Sequence, residues 1–329
     1  MYDVITVGSS TVDVFAQTKF SELIKIFNSK GETDLLAYPT GSKVLIEKLN
    51  FTTGGGATNT AVCLARLGHK VACISKGGSG DNSSKIKGEL RAEGIDTKLF
   101  ISSKTGRTGY SIILDSLEHD RTILAFKGSN NDLKYNEIKT AKLKAKWFYF
   151  STQLGESFKT QEKLAIFAQK NNIKIAFNAS EYLVSKGTGF LKNILTRTEI
   201  LVLNKSEAQL LIKKENVEDL LKAVRELGPK IVVITDGKNE FFVYDGDIMY
   251  SAKPAKVKVV ETTGAGDAFA ASFLAGIIKK NDIEFAMKIA SVNSESVIQY
   301  HGAKNKLLKY SQALSQIRKN RLKIKKKKV

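Results

Sequence analysis

The sequence predicts an α/β fold of three layers, with a central, mostly parallel sheet between two layers of helices and a small β-sheet beside it. Three observations predict it. Short β-rich runs (Tyr2 to Val7, Val71 to Ser75, Trp147 to Ser151, Ile173 to Asn178, Ile200 to Leu203, Ile231 to Ile234) alternate with helical runs (Asn59 to Leu67, Ser84 to Glu93, Gln161 to Lys170, Ala268 to Ile278). Such alternation implies parallel strands covered on both faces. Two glycine-rich turns each feed a helix. Two further stretches, Val44 to Phe51 and the hairpin Tyr110 to Asp115 with Arg121 to Phe126 around Glu118-His119-Asp120, read as antiparallel strands outside the main sheet.

Taken in chain order, Tyr2 to Val7 ends at Gly8, so Asp13 falls just past the carboxyl end of a first strand, where open α/β sheets bind ligands. A carboxylate there accepts hydrogen bonds from two hydroxyls of a polyol; a turn-capping role explains it equally well. Lys19 to Thr40 is longer than a simple connection needs and reads as an extra helix over Ser21 to Phe27 or a mobile loop. Thr53-Gly54-Gly55-Gly56-Ala57-Thr58-Asn59 opens a helix that stops at Gly68, a C-cap glycine. The glycines leave room beside the backbone. Asn59, with both donor and acceptor atoms, suits a polyol better than a phosphate, or else makes a local cap. His119 at the hairpin tip is a turn residue or a lid contact.

In the second half, Asn204 and Glu207 follow the strand Ile200 to Leu203 three residues apart. They can hold the water shell of a magnesium ion, or form a capping box. Ile231 to Ile234, Thr235-Asp236-Gly237 and Glu240 to Tyr244 read as strand, turn and strand. Lys256 to Val260 reads as a strand that leads into Glu261-Thr262-Thr263-Gly264-Ala265-Gly266-Asp267-Ala268-Phe269. That turn sets one carboxylate among the unpaired N–H groups of a starting helix, with the positive end of the helix dipole behind them. It suits an anion and a proton transfer from a hydroxyl that attacks a phosphoryl group; taken alone, a capping Asp explains it equally well.

The stretches Thr53 to Gly68 and Glu261 to Gly276, in that order, resemble the two signatures of the PfkB family of carbohydrate kinases, whose fold is ribokinase-like. Asp3 to Asp13, Leu203-Asn204-Lys205-Ser206-Glu207 and Val232 to Gly237 resemble further family elements, so the likeness spans nearly the whole chain. The resemblance implies transfer of the γ-phosphoryl of ATP to a hydroxyl. Asp267 is then the base, and the amides of Gly264, Ala265 and Gly266 form an anion hole. Asp13, Gly55, Gly56 and Asn59 orient the acceptor; Asn204 and Glu207 organise Mg²⁺ through water; Thr235 and Gly237 lie near the nucleotide. Asn293, with Ser291 as the alternative register, and the turn His301-Gly302-Ala303 fall where family members contact adenine and, in some, a monovalent cation such as K⁺. The antiparallel strands correspond to a lid, which in several members pairs two subunits into a homodimer.

This reading divides the chain into a main body (1–12, 53–100 and 128–317), a lid with its insertion (13–52 and 101–127) and a basic tail (318–329). Gly56 stands where several ribokinases carry Lys, and Gly155 where ribokinase has an acidic ribose contact, with Glu156 as a stand-in, and these departures speak against ribose itself as the substrate. The acceptor is read as a free sugar, with a nucleoside as the alternative if Phe15 or Tyr110 provides a shelf for a base.

The net charge of +19 raises a nucleic-acid partner as a third reading. Its distribution argues against that as the main function: Lys139, Lys142, Lys144 and Lys146 are dispersed on helices, and the densest run, Arg318 to Lys328, reads as a solvated, frayed end without interleaved aromatics. There is no P-loop, no G-x-G-x-x-G after the first strand and no protein-kinase motif set. No run of eighteen apolar residues and no secretory leader is present, so a cytoplasmic protein with no membrane partner is expected. Cys63 and Cys73 read as buried thiols.

Overall fold

The computed structural model describes residues 1–28, 31–115 and 121–329. Along the chain the strands are β1 (Tyr2–Val7), β2 (Thr11–Gln17), β3 (Glu22–Asn28), β4 (Gly31–Ala37), β5 (Lys48–Gly54), β6 (Val71–Ile74), β7 (Lys76–Gly77), β8 (Ile101–Ser102), β9 (Gly109–Asp115), β10 (Arg121–Phe126), β11 (Ala145–Ser151), β12 (Lys174–Asn178), β13 (Ile200–Asn204), β14 (Ile231–Thr235), β15 (Phe241–Tyr244), β16 (Ile248–Ala252) and β17 (Ile324–Lys328). The helices are α1 (Gly56–Arg66), α2 (Asp81–Ala92), α3 (Gly155–Lys170), α4 (Glu181–Val184), α5 (Thr188–Leu195), α6 (Lys205–Ile212), α7 (Val217–Glu226), α8 (Ala265–Lys280), α9 (Ile283–Val297) and α10 (Tyr310–Lys319).

Nine strands form the main sheet in the order β17-β16-β15-β14-β13-β12-β11-β1-β6, parallel from β14 to β6 and antiparallel from β14 to β17. Successive side chains of a strand face opposite layers, so each parallel strand must be apolar on both sides. In β11, Trp147 and Tyr149 join the core under α1, α8 and α9, while Phe148 and Phe150 join the core under α3 and α5. Burial of each large apolar side chain contributes about 1.5–3 kcal/mol. The direction of winding reverses at β1, with β6 on one side and β11 on the other. The carboxyl ends of β1 and β11 therefore open a crevice.

The small sheet has the order β10-β9-β2-β5. Its register decides what each lid residue faces: Asp13 pairs with Ser111 and Thr52, and Val12 with Tyr110 and Thr53. Asp13 thus belongs to strand β2 of the lid rather than to a loop after β1.

Several expectations are corrected. Ser21 to Phe27 is not helical: β3 and β4 form a separate hairpin, with Lys25 paired across it to Glu32 at 2.9 Å. The β-branched and aromatic residues Ile24, Ile26 and Phe27 suit an extended strand better than a helix. The strand expected from Val44 begins only at Lys48. Lys256 to Val260 is not a strand, because the Val260 and Glu261 N–H groups both bond to the Ile298 carbonyl, at 2.8 and 3.1 Å. Lys139 to Lys146 lies on a 3₁₀ turn and the start of β11 rather than on an α-helix. The His119 assignment lies outside the described residues.

The basic tail is not frayed. Its end forms edge strand β17 against β16, and Lys325, Lys326, Lys327 and Lys328 pair with Glu240, Glu284, Glu218 and Asp247. Lysines on an edge strand also discourage pairing with other chains. Both cysteines are free and buried, and burial pushes each thiol up to about 12. Among the described residues no helix is long and apolar enough to cross a membrane.

Candidate active site

The crevice between β1 and β11 holds a cavity of about 230 Å³ lined by side chains from both halves of the chain, among them Ser9, Lys127, Ser151, Gln153, Glu207 and Asp267. Its floor is the first turn of α8. Gly264 caps that helix with φ 81°, a left-handed conformation that favours glycine, and a Cβ there would stand 2.5 Å from that of Ala303. A Cβ at Gly266 would meet nothing within 4 Å, so this face of the turn is open to a ligand. The Ala265 N–H is taken by the Thr262 carbonyl at 3.2 Å, so of the three amides expected to form the anion hole one is engaged in the turn itself.

Asp267, third residue of α8, accepts a hydrogen bond from Asn59 Nδ2 at 2.8 Å. Burial pushes its carboxyl up to about 6; the Asn59 bond opposes the shift and repulsion from Asp13 adds to it. Asn59 therefore serves the carboxylate with its donor, while its Oδ1 is buried without a partner in the structure. Gly8 and Gly56 are needed for the approach of α1 to β11: a Cβ at either would come within 2.8 Å of the Ser151 Cβ. That of Gly56 would also lie 3.8 Å from Asp267 Oδ1.

Asp13, on the lid, stands near enough to Asp267 for their charges to repel, but it does not line this cavity. Its carboxylate occupies the room a side chain on Gly54 would need, with Oδ2 only 1.8 Å from the Cβ position, and Thr11 Oγ1 donates to it at 2.8 Å. Burial raises its pKa, against hydrogen bonds from Thr11 and Ser111 and the charge of Lys304. Phe15 is two residues on and shares the face of Asp13, whereas Tyr110 pairs with Val12 and points to the other face. Tyr110 lines a separate cavity of about 640 Å³ with Arg107, Asn82 and Phe126. Of the two candidate shelves, only Phe15 lies on the face of Asp13. Glu156 is no stand-in for an acidic acceptor contact: it pairs with Lys159 at 3.3 Å on the surface, and Gln153 lines the cavity instead.

On the other flank, Asn204 and Glu207 form the full capping box: the Glu207 N–H donates to Asn204 Oδ1 and the Asn204 N–H to Glu207 Oε2, both at 2.8 Å. Glu207 also lines the cavity, and burial pushes its carboxyl up to about 7 against hydrogen bonds from the Asn204 and Glu181 backbones. Thr235 pairs with Asn204 at the ends of β14 and β13, and Gly237 takes φ 54° in the turn beyond. Asn293 is elsewhere. It is fully buried, donating to Ser272 Oγ at 2.7 Å and Cys63 Sγ at 3.4 Å and accepting from the Leu308 N–H at 2.8 Å. Its alternative, Ser291, is buried against Glu295. Both side chains are committed inside the protein and neither lines the cavity.

A family model for pfkB family carbohydrate kinases matches residues 24–309. The chain belongs to this family. An uncharacterized sugar kinase of Archaeoglobus fulgidus is 30% identical over 249 residues, covering 74% of this chain and 97% of its own length. A cytidine kinase of Thermococcus kodakarensis is 29% identical over 277 residues, covering 82% and 94%. A ribokinase of Arabidopsis thaliana, solved with ribose and ATP, superposes with a TM-score of 0.78 at 17% identity, over 95% of this chain and 98% of that one. The fold is ribokinase-like and the enzyme a phosphotransferase with an alcohol acceptor.

Sequence reasoning missed several residues that line the cavity of this PfkB kinase: Lys127, Asn130, Ser151, Gln153, Asn178 and Tyr182. A positional signal existed for some of them. Ser151 and Asn178 are the last residues of β11 and β12, as Asn204 and Thr235 are of β13 and β14. Polar residues that terminate parallel strands gather at the carboxyl edge. For Lys127 and Tyr182, which meet from the lid and the main body, no local pattern exists.

Proposed function

We propose that the protein transfers the γ-phosphoryl of ATP to a hydroxyl of a small sugar, with Asp267 as general base. The observation that carries this reading is the carboxyl of Asp267, raised to about 6 and oriented by Asn59 at the mouth of an open helix N-terminus. A base of that pKa is ionised at neutral pH yet basic enough to accept a hydroxyl proton as the bond to phosphorus forms. The amides of Gly264 and Gly266, with the α8 dipole behind them, stabilise charge on the transferred group. Asp13 accepts hydrogen bonds from acceptor hydroxyls, and Asn59, Gly55 and Gly56 shape the space around them.

Magnesium is the ion that neutralises charge on bound ATP. Glu207 faces the cavity with a carboxyl that burial holds near neutrality, and Asn204 and Glu207 already bond each other, so contact through the ion's water shell fits better than direct ligation. A monovalent cation fits the loop before Asp267. There, Glu261 Oε1 and Thr263 Oγ1 are buried oxygens without partners in the structure, and Glu261 Oε2 accepts the Gly302 N–H at 2.9 Å. Thr235 and Gly237 stand at the nucleotide side.

A nucleoside is the second acceptor reading, favoured by Phe15 on the Asp13 face of the lid and by the kinship with a cytidine kinase. A homodimer through the lid has support in the exposed Leu49, Phe51, Ile123 and Leu124 of its strands. We infer a cytoplasmic enzyme. The test is ADP formation from ATP and Mg²⁺ over pentoses, hexoses, sugar phosphates and nucleosides, with Asp267→Asn in parallel. Turnover on one acceptor class, lost in the variant, is expected; full turnover in the variant sinks the assignment of the base.

A further inference from the structure

Among the described residues that line the active-site cavity, Lys127 is the single cation, and it shares the cavity with Asp267 and Glu207. It belongs to the lid side, one residue past β10, and its half-buried ammonium makes no ion pair with any described residue. The ammonium lies over the ring of Tyr182, 4.6 Å from its centroid. Tyr182 comes from α4 in the main body, so the contact spans the cleft between lid and body. Such a contact holds a cation by the ring's negative face and uses none of its N–H donors.

The joint around Lys127 is stiff. The Ser10 N–H donates to Asn130 Oδ1 at 2.9 Å, and Asn130 Nδ2 returns a bond to the Ser10 carbonyl at 2.8 Å. Gly128 takes φ 51°, and a Cβ there would stand 2.4 Å from the Arg107 carbonyl oxygen. Lys127 is therefore held where lid strand meets body, on the wall of the cavity and over the Tyr182 ring. A partly desolvated ammonium so placed is short of a negative partner, which a ligand entering the cavity supplies.

We propose that Lys127 binds an oxyanion group in this cavity, either the transferring phosphoryl or an anionic substituent of the acceptor, and that Tyr182 positions it. The proposal rests on the reading of the cavity as the phosphoryl-transfer site. Burial lowers the pKa of Lys127 and the charge of Asp13 works the other way, as expected for an ammonium awaiting its counter-charge. It also gives the Tyr182 contact a role: the ring holds the ammonium in the cavity without pairing its charge to Asp267 or Glu207.

The experiment compares Lys127→Ala, Lys127→Arg and Tyr182→Leu with the wild type. Inorganic phosphate is titrated calorimetrically, and turnover is measured with neutral acceptors (ribose, cytidine) and anionic ones (fructose 6-phosphate, a 2-keto-3-deoxy sugar acid). Phosphate affinity should fall at least tenfold in Lys127→Ala, hold in Lys127→Arg and fall less in Tyr182→Leu, with melting temperatures unchanged. If the oxyanion is the transferring phosphoryl, kcat falls at least tenfold with neutral and anionic acceptors alike. If it belongs to the acceptor, KM for the anionic compounds rises at least tenfold and neutral turnover holds. Unchanged phosphate binding and unchanged kinetics in a folded Lys127→Ala overturn the proposal. Phosphate titration of Asp267→Asn separates the two readings: that variant keeps its phosphate binding if Lys127 holds the anion, whatever its turnover shows about the base.

Discussion

Asn59 Nδ2 stands 2.8 Å from Asp267 Oδ2, a hydrogen bond that joins the first turns of α1 and α8 across 208 residues of sequence. It makes one unit of the two glycine turns, which a reading along the chain treats as an acceptor site and a catalytic site. Neither residue completes the site alone. The Asn59 bond favours the ionised form of Asp267, and the carboxylate in turn engages the amino end of the Asn59 amide.

Replacement of Asp267 by Asn is expected to lower kcat by about 10²–10⁴-fold while ATP affinity stays within a few-fold, because general base catalysis is worth about that much. Equilibrium ATP binding beside steady-state turnover checks it.

The pH profile follows from the raised carboxyl. With Asp267 as the proposed base, activity requires its ionised form, so kcat/KM should fall as pH drops through about 6. Asn59→Ala removes the hydrogen bond that lowers this pKa, so the acid limb should move to higher pH and turnover at pH 7 should drop about tenfold. The same shift has an opposite sign for stability: the folded-state pKa lies above the unfolded value, so its stabilising contribution is full below about 3.8 and lost as pH rises through about 6. An Asp267→Asn variant should therefore melt no lower than the wild type at pH 7.5.

Glu207→Gln separates cap from metal. The amide oxygen of Gln still accepts the Asn204 N–H, so the helix cap survives and the melting temperature should hold or rise, because a costly buried charge is gone. Turnover should fall at least tenfold and require more Mg²⁺. A normal Mg²⁺ titration would reduce Glu207 to a cap.

Gly54→Ala puts a methyl group where the Asp13 carboxylate stands, 1.8 Å from its Oδ2. The lid strand must shift, at about 1–3 kcal/mol, and KM for the acceptor should rise at least tenfold with ATP affinity kept. Thermal melts and the two KM values check both halves.

Truncation after Asn320 removes β17 and leaves β16 as the sheet edge. Single surface ion pairs contribute about 0–1 kcal/mol, so the loss comes mainly from strand pairing. We expect a melting temperature about 2–4 °C lower, for roughly 1 kcal/mol, and unchanged turnover.

The sequence by itself determined the class of fold, because a parallel strand buried on both faces must be apolar throughout, and runs such as Trp147 to Ser151 state this locally. It determined the two helix-opening glycine turns and the place of Asp267 in a first helical turn for the same reason: positive-φ backbone at Gly264 and Gly55 and the first turn that follows are short-range matters. Tertiary structure decided the rest. Lys256 to Val260 has strand composition, yet the end of α9 takes its last amides; Lys325 to Lys328 has the composition of a solvated tail, yet carboxylates on β16's surroundings and a free strand edge order it. Asn293 has a side chain chemically able to contact a ligand, but it is enclosed between α1 and α8 by Cys63 and Ser272, neither near it in sequence. Lys127 and Tyr182 share no pattern, because only the closing of lid onto body brings a cation to a ring. Hydrogen bonds within one turn can be read from a sequence; which distant groups compete for the same donor, ring or edge is settled only when the chain is packed.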